Sequence, residues 1–151
     1  MSGLYRPLET ALLGPNTTCQ MPAQQLPMNL TPDSPAIDVM TDLRHVASQA
    51  VSSFSGIEQA TERMKNAGVR LLFVINQSYE ILGILTSQDI LEEKIVKHMS
   101  THNMRREEIT ARDLMTPQGQ VEVLQMYDVA RATVGDIIKT FRQMGRQHAL
   151  V

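Results

Sequence analysis

Residues 83–89 read Gly83-Ile84-Leu85-Thr86-Ser87-Gln88-Asp89, and three signals meet there: an apolar strand ends, a helical pattern begins, and a hydroxyl precedes a carboxylate by three positions. Residues 69–75, interrupted only by Arg70, and residues 81–85 are apolar runs that contain several β-branched residues, which predict two strands with a buried face. The polar residues 76–80 between them have the length of a hairpin loop. After Thr86 the spacing becomes helical, with one apolar side formed by Ile90, Leu91, Ile95 and Val96.

The junction at Thr86 supports two interpretations. In the first, Thr86 or Ser87 is the N-cap of the following helix, and Asp89 is an acid of the first turn, favoured by the helix dipole. In the second, the free N–H groups and the hydroxyl receive a phosphate, and Asp89 accepts hydrogen bonds from vicinal ribose hydroxyls. The short motif leaves both interpretations open.

The composition indicates a globular protein and argues against nucleic acid as a partner. The chain has 151 residues, 42% hydrophobic content and a net charge of -2, which suit one domain or two small units. Its longest basic cluster is Arg105-Arg106, and its aromatic content is 4%, so neither phosphate contacts nor base stacking is favoured.

The positions of cysteine and histidine and the lengths of the apolar runs limit the cellular compartment and the chemistry that we expect of this protein. Cys19 is the only cysteine, which rules out an internal disulfide and fits a reducing compartment, so we expect a cytoplasmic protein. His98 and His102 could share a helix face, but they lack a third ligand, and we expect a solvated helix end rather than a metal site. No apolar run has membrane-spanning length, and no secretion signal or nucleophile–base frame is recognisable.

Residues 1–33 are predicted to form an N-terminal arm. Proline recurs through this segment and blocks helix interiors, so the arm is expected to be extended or disordered. Docking of the arm on a neighbouring surface is the alternative, through its apolar side chains Leu4, Tyr5, Leu8, Leu26, Met28 and Leu30.

The folded region is expected to begin at Ser34, as an N-cap, with Pro35 at the first position of a short helix. Ala50-Val51-Ser52 reads as a short strand. Residues 55–58 have the spacing of a capping box, which would make Ser55 the cap of a helix that Gly68 ends in a left-handed turn. The apolar face of that helix is predicted to contain Ile57, Ala60, Thr61 and Met64.

The chain contains an internal repeat. Residues 35–41 are echoed by residues 110–116, at an offset of 75. A second echo follows in the same order at an offset of 77, and it preserves the helix face, the stop glycine and the onset of a strand. The matching residues are Ile57, Ala60, Met64, Gly68 and 71–74 in the first copy and Val134, Ile137, Phe141, Gly145 and 148–151 in the second.

With its repeat, the sequence resembles a tandem pair of cystathionine β-synthase (CBS) domains, the Bateman module, of bacterial type and with a truncated second unit. The features that carry the resemblance are Val39-Met40-Thr41, the helix after Ser55, Arg70 before the hairpin, and residues 83–89 with their Gly, two apolar residues, Thr and Asp. The resemblance implies an α+β fold of βαββα units whose small mixed sheets pack together. It places the first unit at 34–104 and an incomplete second unit at 105–151.

The resemblance also implies a function. Such modules sense AMP, ADP, ATP or S-adenosylmethionine in clefts between the units, regulate another protein, are not enzymes, require no cofactor and commonly form homodimers. Carried over by position, Asp89 would bind the ribose, Thr86 and Arg70 the phosphates, and Ile84, Ala50, Val51 and Ser52 the base. The alternative is a structural or dimerisation module without a small ligand.

Three departures from the family pattern stand out. The second unit has no counterpart of Thr86 and Asp89 in this sequence, so one site at most is expected. Ser53 occupies a position where the family commonly has proline. Residues 118–129 are longer than the usual connection, and their Val121, Val123 and Met126 are expected to cover an edge of the module or a partner surface.

Overall fold

A computed structural model describes residues 9–18, 27 and 29–151. The first unit follows the predicted βαββα order and has two eleven-residue helices. Its elements are β1 (Ala50–Ser52), α1 (Ile57–Ala67), β2 (Leu71–Ile75), β3 (Ile81–Thr86) and α2 (Glu92–His102).

The rest of the described chain consists of short elements and one longer helix. They are α3 (Ala111–Leu114), β4 (Thr116–Pro117), α4 (Met126–Val129) and α5 (Val134–Met144). Single 3-10 turns lie at Ala36–Val39, Arg106–Glu108 and Gln118–Gln120. The long connection at 118–129 is therefore a 3-10 turn followed by the short helix α4.

The strands form one mixed sheet in the order β1-β2-β3-β4, which confirms the α+β class. β1 is parallel to β2, and the other neighbours are antiparallel. In the hairpin loop the Asn76 side-chain oxygen accepts hydrogen bonds from the N–H groups of Ser78 and Glu80, both at 2.9 Å, which closes the turn.

The main core lies between the sheet and α1. Because side chains alternate along a strand, Leu72, Val74 and Leu85 point to one face, where they pack with Ala60 and Met64 of α1. A second cluster joins α1, α2 and the segment after α2 through Ile57, Ile95 and Ile109. The predicted apolar face of α1 is thus confirmed.

The repeat is confirmed by the geometry of its copies. α1 and α5 have the same length at an offset of 77, and each ends at a left-handed glycine, Gly68 (φ 65°) and Gly145 (φ 63°). The 3-10 turn Ala36–Val39 and the helix Ala111–Leu114 match at an offset of 75.

The two copies exchange their first segments. Pro35 pairs with Thr133 at the start of α5, and Thr110 pairs with Gly56 at the start of α1. Equivalent hydrogen bonds run from Ala36 N to Ala132 O (2.9 Å) and from Ala111 N to Ser55 O (2.8 Å). Each copy's first segment, residues 35–41 or 110–116, therefore lies against the helix of the other copy, and we call these two the lead segments.

Two predicted N-caps are wrong. Pro35, not Ser34, caps the first turn, because the Ser34 hydroxyl accepts a hydrogen bond from Thr31 N (3.0 Å) upstream. Gly56, not Ser55, caps α1, and no side chain closes that end.

The helix predicted to start at Thr86 or Ser87 begins only at Glu92, with Leu91 at the N-cap. Residues 87–90 form a turn instead.

Several predictions concern residues outside the described part of the chain, namely Cys19 and the arm residues Leu4, Tyr5, Leu8, Leu26 and Met28. Of the described arm residues, Leu12 and Leu13 are 99% and 83% exposed. The unit boundaries at 34, 105 and 151 stay predictions. Within the described residues, no helix is both long and apolar enough to cross a membrane.

Candidate functional site

The turn at residues 86–89 is closed by the Asp89 carboxylate. One of its oxygens, Oδ2, accepts hydrogen bonds from the Thr86 N–H (2.8 Å) and the Thr86 hydroxyl (2.7 Å). The Asp89 N–H in turn donates to the Thr86 carbonyl at 3.0 Å. These bonds fix the carboxylate at the end of β3, so Thr86 and Asp89 form one unit.

The second oxygen of Asp89 is less occupied. Among the described residues, the one polar partner of Oδ1 is the Lys94 ammonium at 3.4 Å, a long distance for a charge-assisted bond. The Asp89 side chain is only 18% exposed, so its position is set by the protein. A fixed acceptor oxygen with spare lone pairs is suited to receiving hydroxyl donors.

The same Thr-x-x-Asp arrangement occurs at two further places. Thr110 with Asp113 and Thr133 with Asp136 repeat its two hydrogen bonds, at 2.7 to 2.9 Å. Both of those turns open a helix directly, α3 and α5. The turn at Thr86 does not, since α2 starts at Glu92. Helix capping explains the other two turns and leaves this one without that role.

The predicted base-facing residues divide between the two faces of the sheet. Ala50 pairs with Phe73, and Phe73 with Ile84, so these three side chains form a row across the sheet. Ser52 lies on the same face of β1. The Val51 side chain points the other way, into the core beside Ala60 and Met64. Only the backbone of Val51 is left for a ligand on the Ile84 face.

Ser53, at the position where the family commonly has proline, is buried and uses its backbone. Its N–H donates to Ile75 O at 3.0 Å, and its carbonyl accepts from Arg112 N at 3.1 Å. Proline could not make the first of these bonds. The departure therefore lengthens the pairing of β1 with β2 by one hydrogen bond.

Arg70 joins the candidate turn through its backbone. Its carbonyl accepts from Ser87 N at 2.9 Å, directly after Thr86. Its side chain is exposed, and within the described residues its guanidinium makes no hydrogen bond or ion pair. It lines a cleft on the α1 side of the sheet, beside Thr61 and Met64, and not on the Ile84 face.

His148 is a nearby residue that the sequence analysis did not select. Burial lowers the pKa of His148, and the positive charge of Arg70 lowers it further. His148 therefore lies within electrostatic reach of Arg70. The strand that the repeat predicts at residues 148–151 is not formed, and Leu150 makes only an isolated bridge with Val123. The signal in the sequence is the offset of 77, which makes His148 the counterpart of Leu71, the residue after Arg70.

The histidine pair of α2 is only partly the predicted solvated end. The rings of His98 and His102 stack with centroids 4.0 Å apart, and His98 is half-buried, with an Nε2 atom that has no partner among the described residues. Across the described chain, no group of three or more His, Cys, Asp or Glu side chains is placed to hold a metal ion.

Comparisons with known proteins give a family match over part of the chain and a similar fold. Residues 27–96 match the family model of the CBS domain. A search of curated proteins found no match.

Solved structures of similar fold include two with 17% sequence identity. One is an uncharacterized conserved protein from Pyrococcus horikoshii, with a TM-score of 0.54 over 80% of this chain and 79% of that chain. The other is a CBS-domain containing protein from Agrobacterium tumefaciens, with a TM-score of 0.50 over 68% of each chain. The match to the CBS domain therefore covers residues 27–96, and the likeness to these two structures shows a similar fold.

Proposed function

We propose that this protein is a non-catalytic, cytoplasmic regulatory module that binds an adenosyl nucleotide, such as AMP, ADP, ATP or S-adenosylmethionine, at the Thr86–Asp89 turn. The observation that carries the proposal is the fixed Asp89 carboxylate, which has one oxygen held by Thr86 and the other nearly free. Because this turn caps no helix, its geometry calls for another role. Regulation through nucleotide binding is common in CBS-domain proteins.

In the proposed complex, Asp89 Oδ1 accepts a hydrogen bond from the ribose diol in place of Lys94. Hydrogen bonds to a charged acceptor contribute about 1.5–3 kcal/mol each. The base contacts Ala50, the adjacent Ser52 and the small accessible part of Ile84, which is 4% exposed, and Val51 contributes only its backbone.

In the proposed complex, the phosphates contact Arg70, Thr86 and the neighbouring His148. Arg70 is free to turn from the α1 side, because no partner within the described residues holds its guanidinium. The Thr86 hydroxyl has one proton and donates it to Asp89, so it must rotate before it can donate to a phosphate. The Thr86 N–H keeps Asp89 in place when this happens.

Calorimetric titration with AMP, ATP and S-adenosylmethionine tests the proposal. We expect Asp89→Asn to weaken the binding of the active ligand at least about tenfold, since a charged acceptor is lost. Asp113→Asn is the matched control. Asp113 accepts the same pair of hydrogen bonds from Thr110, so this variant shows the effect of weakening an equivalent turn outside the proposed binding site. Absence of heat with all three ligands at millimolar concentration contradicts nucleotide binding.

The second candidate function is homodimerisation without a small ligand. The observation that favours it is the exposure of Leu91 (39%) and Val96 (53%) around the start of α2. Ile95, which the sequence places on the same apolar side of the helix, is buried at 1% and belongs to the core. Light scattering on wild type and Val96→Lys tests this: a dimer that the substitution converts to monomer supports it, and a wild-type monomer contradicts it.

A further inference from the structure

Lys94 holds the oxygen of Asp89 that the ribose of a ligand needs. Its ammonium lies 3.4 Å from Asp89 Oδ1, while Oδ2 accepts both hydrogen bonds from Thr86. A hydroxyl that donates to a carboxylate comes within about 2.5–2.7 Å of the accepting oxygen, so an ammonium in front of that oxygen competes for the same lone pairs. In the protein without ligand, Lys94 therefore takes the place of the ribose donors.

The other two Thr-x-x-Asp turns show that such a turn closes without a cation. Asp113 and Asp136 accept the same two hydrogen bonds from their threonines, but neither carboxylate makes an ion pair with a described residue. Lys139 acts on Asp136 only through its more distant charge. Among the described residues, the cation on the second oxygen belongs to the turn that caps no helix, and closure of the turn does not explain it.

The position of Lys94 in α2 is unfavourable without Asp89. Lys94 is the third residue of the helix, where the dipole favours acids over cations, as at the preceding Glu92 and Glu93. Glu92 does not hold Lys94, because both of its carboxylate oxygens bind Arg106 Nη1, at 2.8 and 2.9 Å. Within the described part of the chain, Asp89 is thus the counter-ion of Lys94.

This contact is fixed at its base and open at its tip. Ile95, 1% exposed, anchors the adjoining residue of α2 in the core, whereas the Lys94 side chain is 49% exposed and its ammonium can move into water. We propose that Lys94 is a built-in competitor of the ligand: it occupies Asp89 Oδ1 in the free protein, and the ribose diol binds by displacing it. The inference rests on the proposed function and makes Lys94 a determinant of affinity that acts through Asp89.

Adenosine tests the competition, because it brings the base and the ribose diol without a charge. We expect Lys94→Gln to bind adenosine about two- to fivefold more tightly than the wild type, the scale of an exposed ion pair. Lys97→Gln is the matched control, since Lys97 is an exposed lysine of the same helix whose ammonium has no partner among the described residues. Damage to the fold would weaken binding, so a gain in affinity cannot come from it.

Two further measurements report on the ion pair itself. Salt screens the pair of Lys94 and Asp89 but not a neutral ligand, so the affinity of the wild type for adenosine should rise with ionic strength, and Lys94→Gln should lose this dependence. The Thr86 N–H donates to the Asp89 carboxylate. Its proton resonance should therefore shift in ligand-free Lys94→Gln and not in Lys97→Gln.

The outcomes separate this inference from the proposed function. If adenosine and AMP bind the wild type but Lys94→Gln binds adenosine no more tightly, the competition is wrong and the nucleotide site stands. An unchanged Thr86 amide resonance in ligand-free Lys94→Gln overturns the inference without any ligand. If neither the wild type nor Lys94→Gln binds an adenosyl ligand, the inference and the proposed function fail together.

Discussion

At the scale of single residues, Gly83 is fixed by the close approach of β4. A Cβ atom at this position would lie 2.3 Å from the Thr116 carbonyl oxygen and 3.0 Å from Met115 Sδ. We therefore expect Gly83→Ala to push β4 from β3 and to lower the free energy of unfolding by about 1–3 kcal/mol, the usual cost of overpacking. Urea denaturation measures this.

The control for Gly83→Ala is Gly119→Ala, where an added Cβ meets nothing within 4 Å. We expect its effect to stay within about 0.5 kcal/mol, as for an ordinary surface substitution. Equal losses of stability in the two variants would contradict a role for the close contact of Gly83 with β4.

His148 should make stability depend on pH near neutrality. Its folded-state pKa is lowered from the usual 6.5, first by burial and then by Arg70, so the unfolded chain binds its proton more readily. Stability is therefore retained above about pH 6.5 and falls as the pH drops below that value. We expect His148→Gln to reduce the difference in the free energy of unfolding between pH 5.5 and pH 7.5, measured by denaturation at both pH values.

Other titrating groups act at lower pH. The pKa values of Glu58, Glu108 and Asp136 are lowered, chiefly by backbone hydrogen bonds, from usual values of 4.5 and 3.8. Their contributions are lost only as the pH falls below about 4.5, outside the window of His148. If the free energy of unfolding changed between pH 5.5 and 7.5 as much in His148→Gln as in the wild type, His148 would not be the source of this pH dependence.

At the scale of elements, α5 depends on the reciprocal cap formed by Thr133. Its hydroxyl faces the Asp136 N–H at 3.3 Å, while its own N–H and hydroxyl engage the Asp136 carboxylate. We expect Thr133→Ala to cost about 1 kcal/mol in thermal or chemical unfolding, as for other N-caps. Thr101→Ala, which removes only an exposed bond to Lys97 O within α2, should cost much less.

The helices and strands could be predicted where the determining signals are local. The apolar period and Gly68 predicted α1 and its end, and the apolar runs predicted β2 and β3. The start of α2 was predicted wrongly because Thr86 and Asp89 bind each other and close a turn before the helix. β4 was not predicted, since its pairing with Gly83 and Ile84 joins residues more than thirty positions apart.

At the scale of the whole molecule, the candidate site depends on contacts between the units. The repeat predicted two equivalent copies, but not that Arg70 of the first unit would influence His148 of the second. The position of Val51 could be deduced only once the register of β1 was known, since neighbouring residues of a strand face opposite ways. Thr86 and Asp89 could be selected together from the sequence because they lie three residues apart, and their role in ligand binding stays a prediction.

The exchange of lead segments should make the two units unfold together. Ala36 and Ala111 are each 1% exposed, and each donates its N–H to the other unit. Enlarging either residue therefore disturbs an interface that both units need. We expect Ala111→Leu to lower the amide protection of β2 and of the distant α5 by the same free energy, about 1–3 kcal/mol.

Hydrogen exchange with mass spectrometry measures both elements in one experiment. Ala36→Leu should give the same paired loss, because the repeat places Ala36 and Ala111 in equivalent contacts, with N–H bonds to Ala132 O and Ser55 O. Ala130→Leu, at an exposed position beside α4, should leave both elements protected. If Ala111→Leu exposed β2 while α5 kept its protection, the units would be independent, and a ligand at the Thr86–Asp89 turn could not affect the second unit through the lead segments.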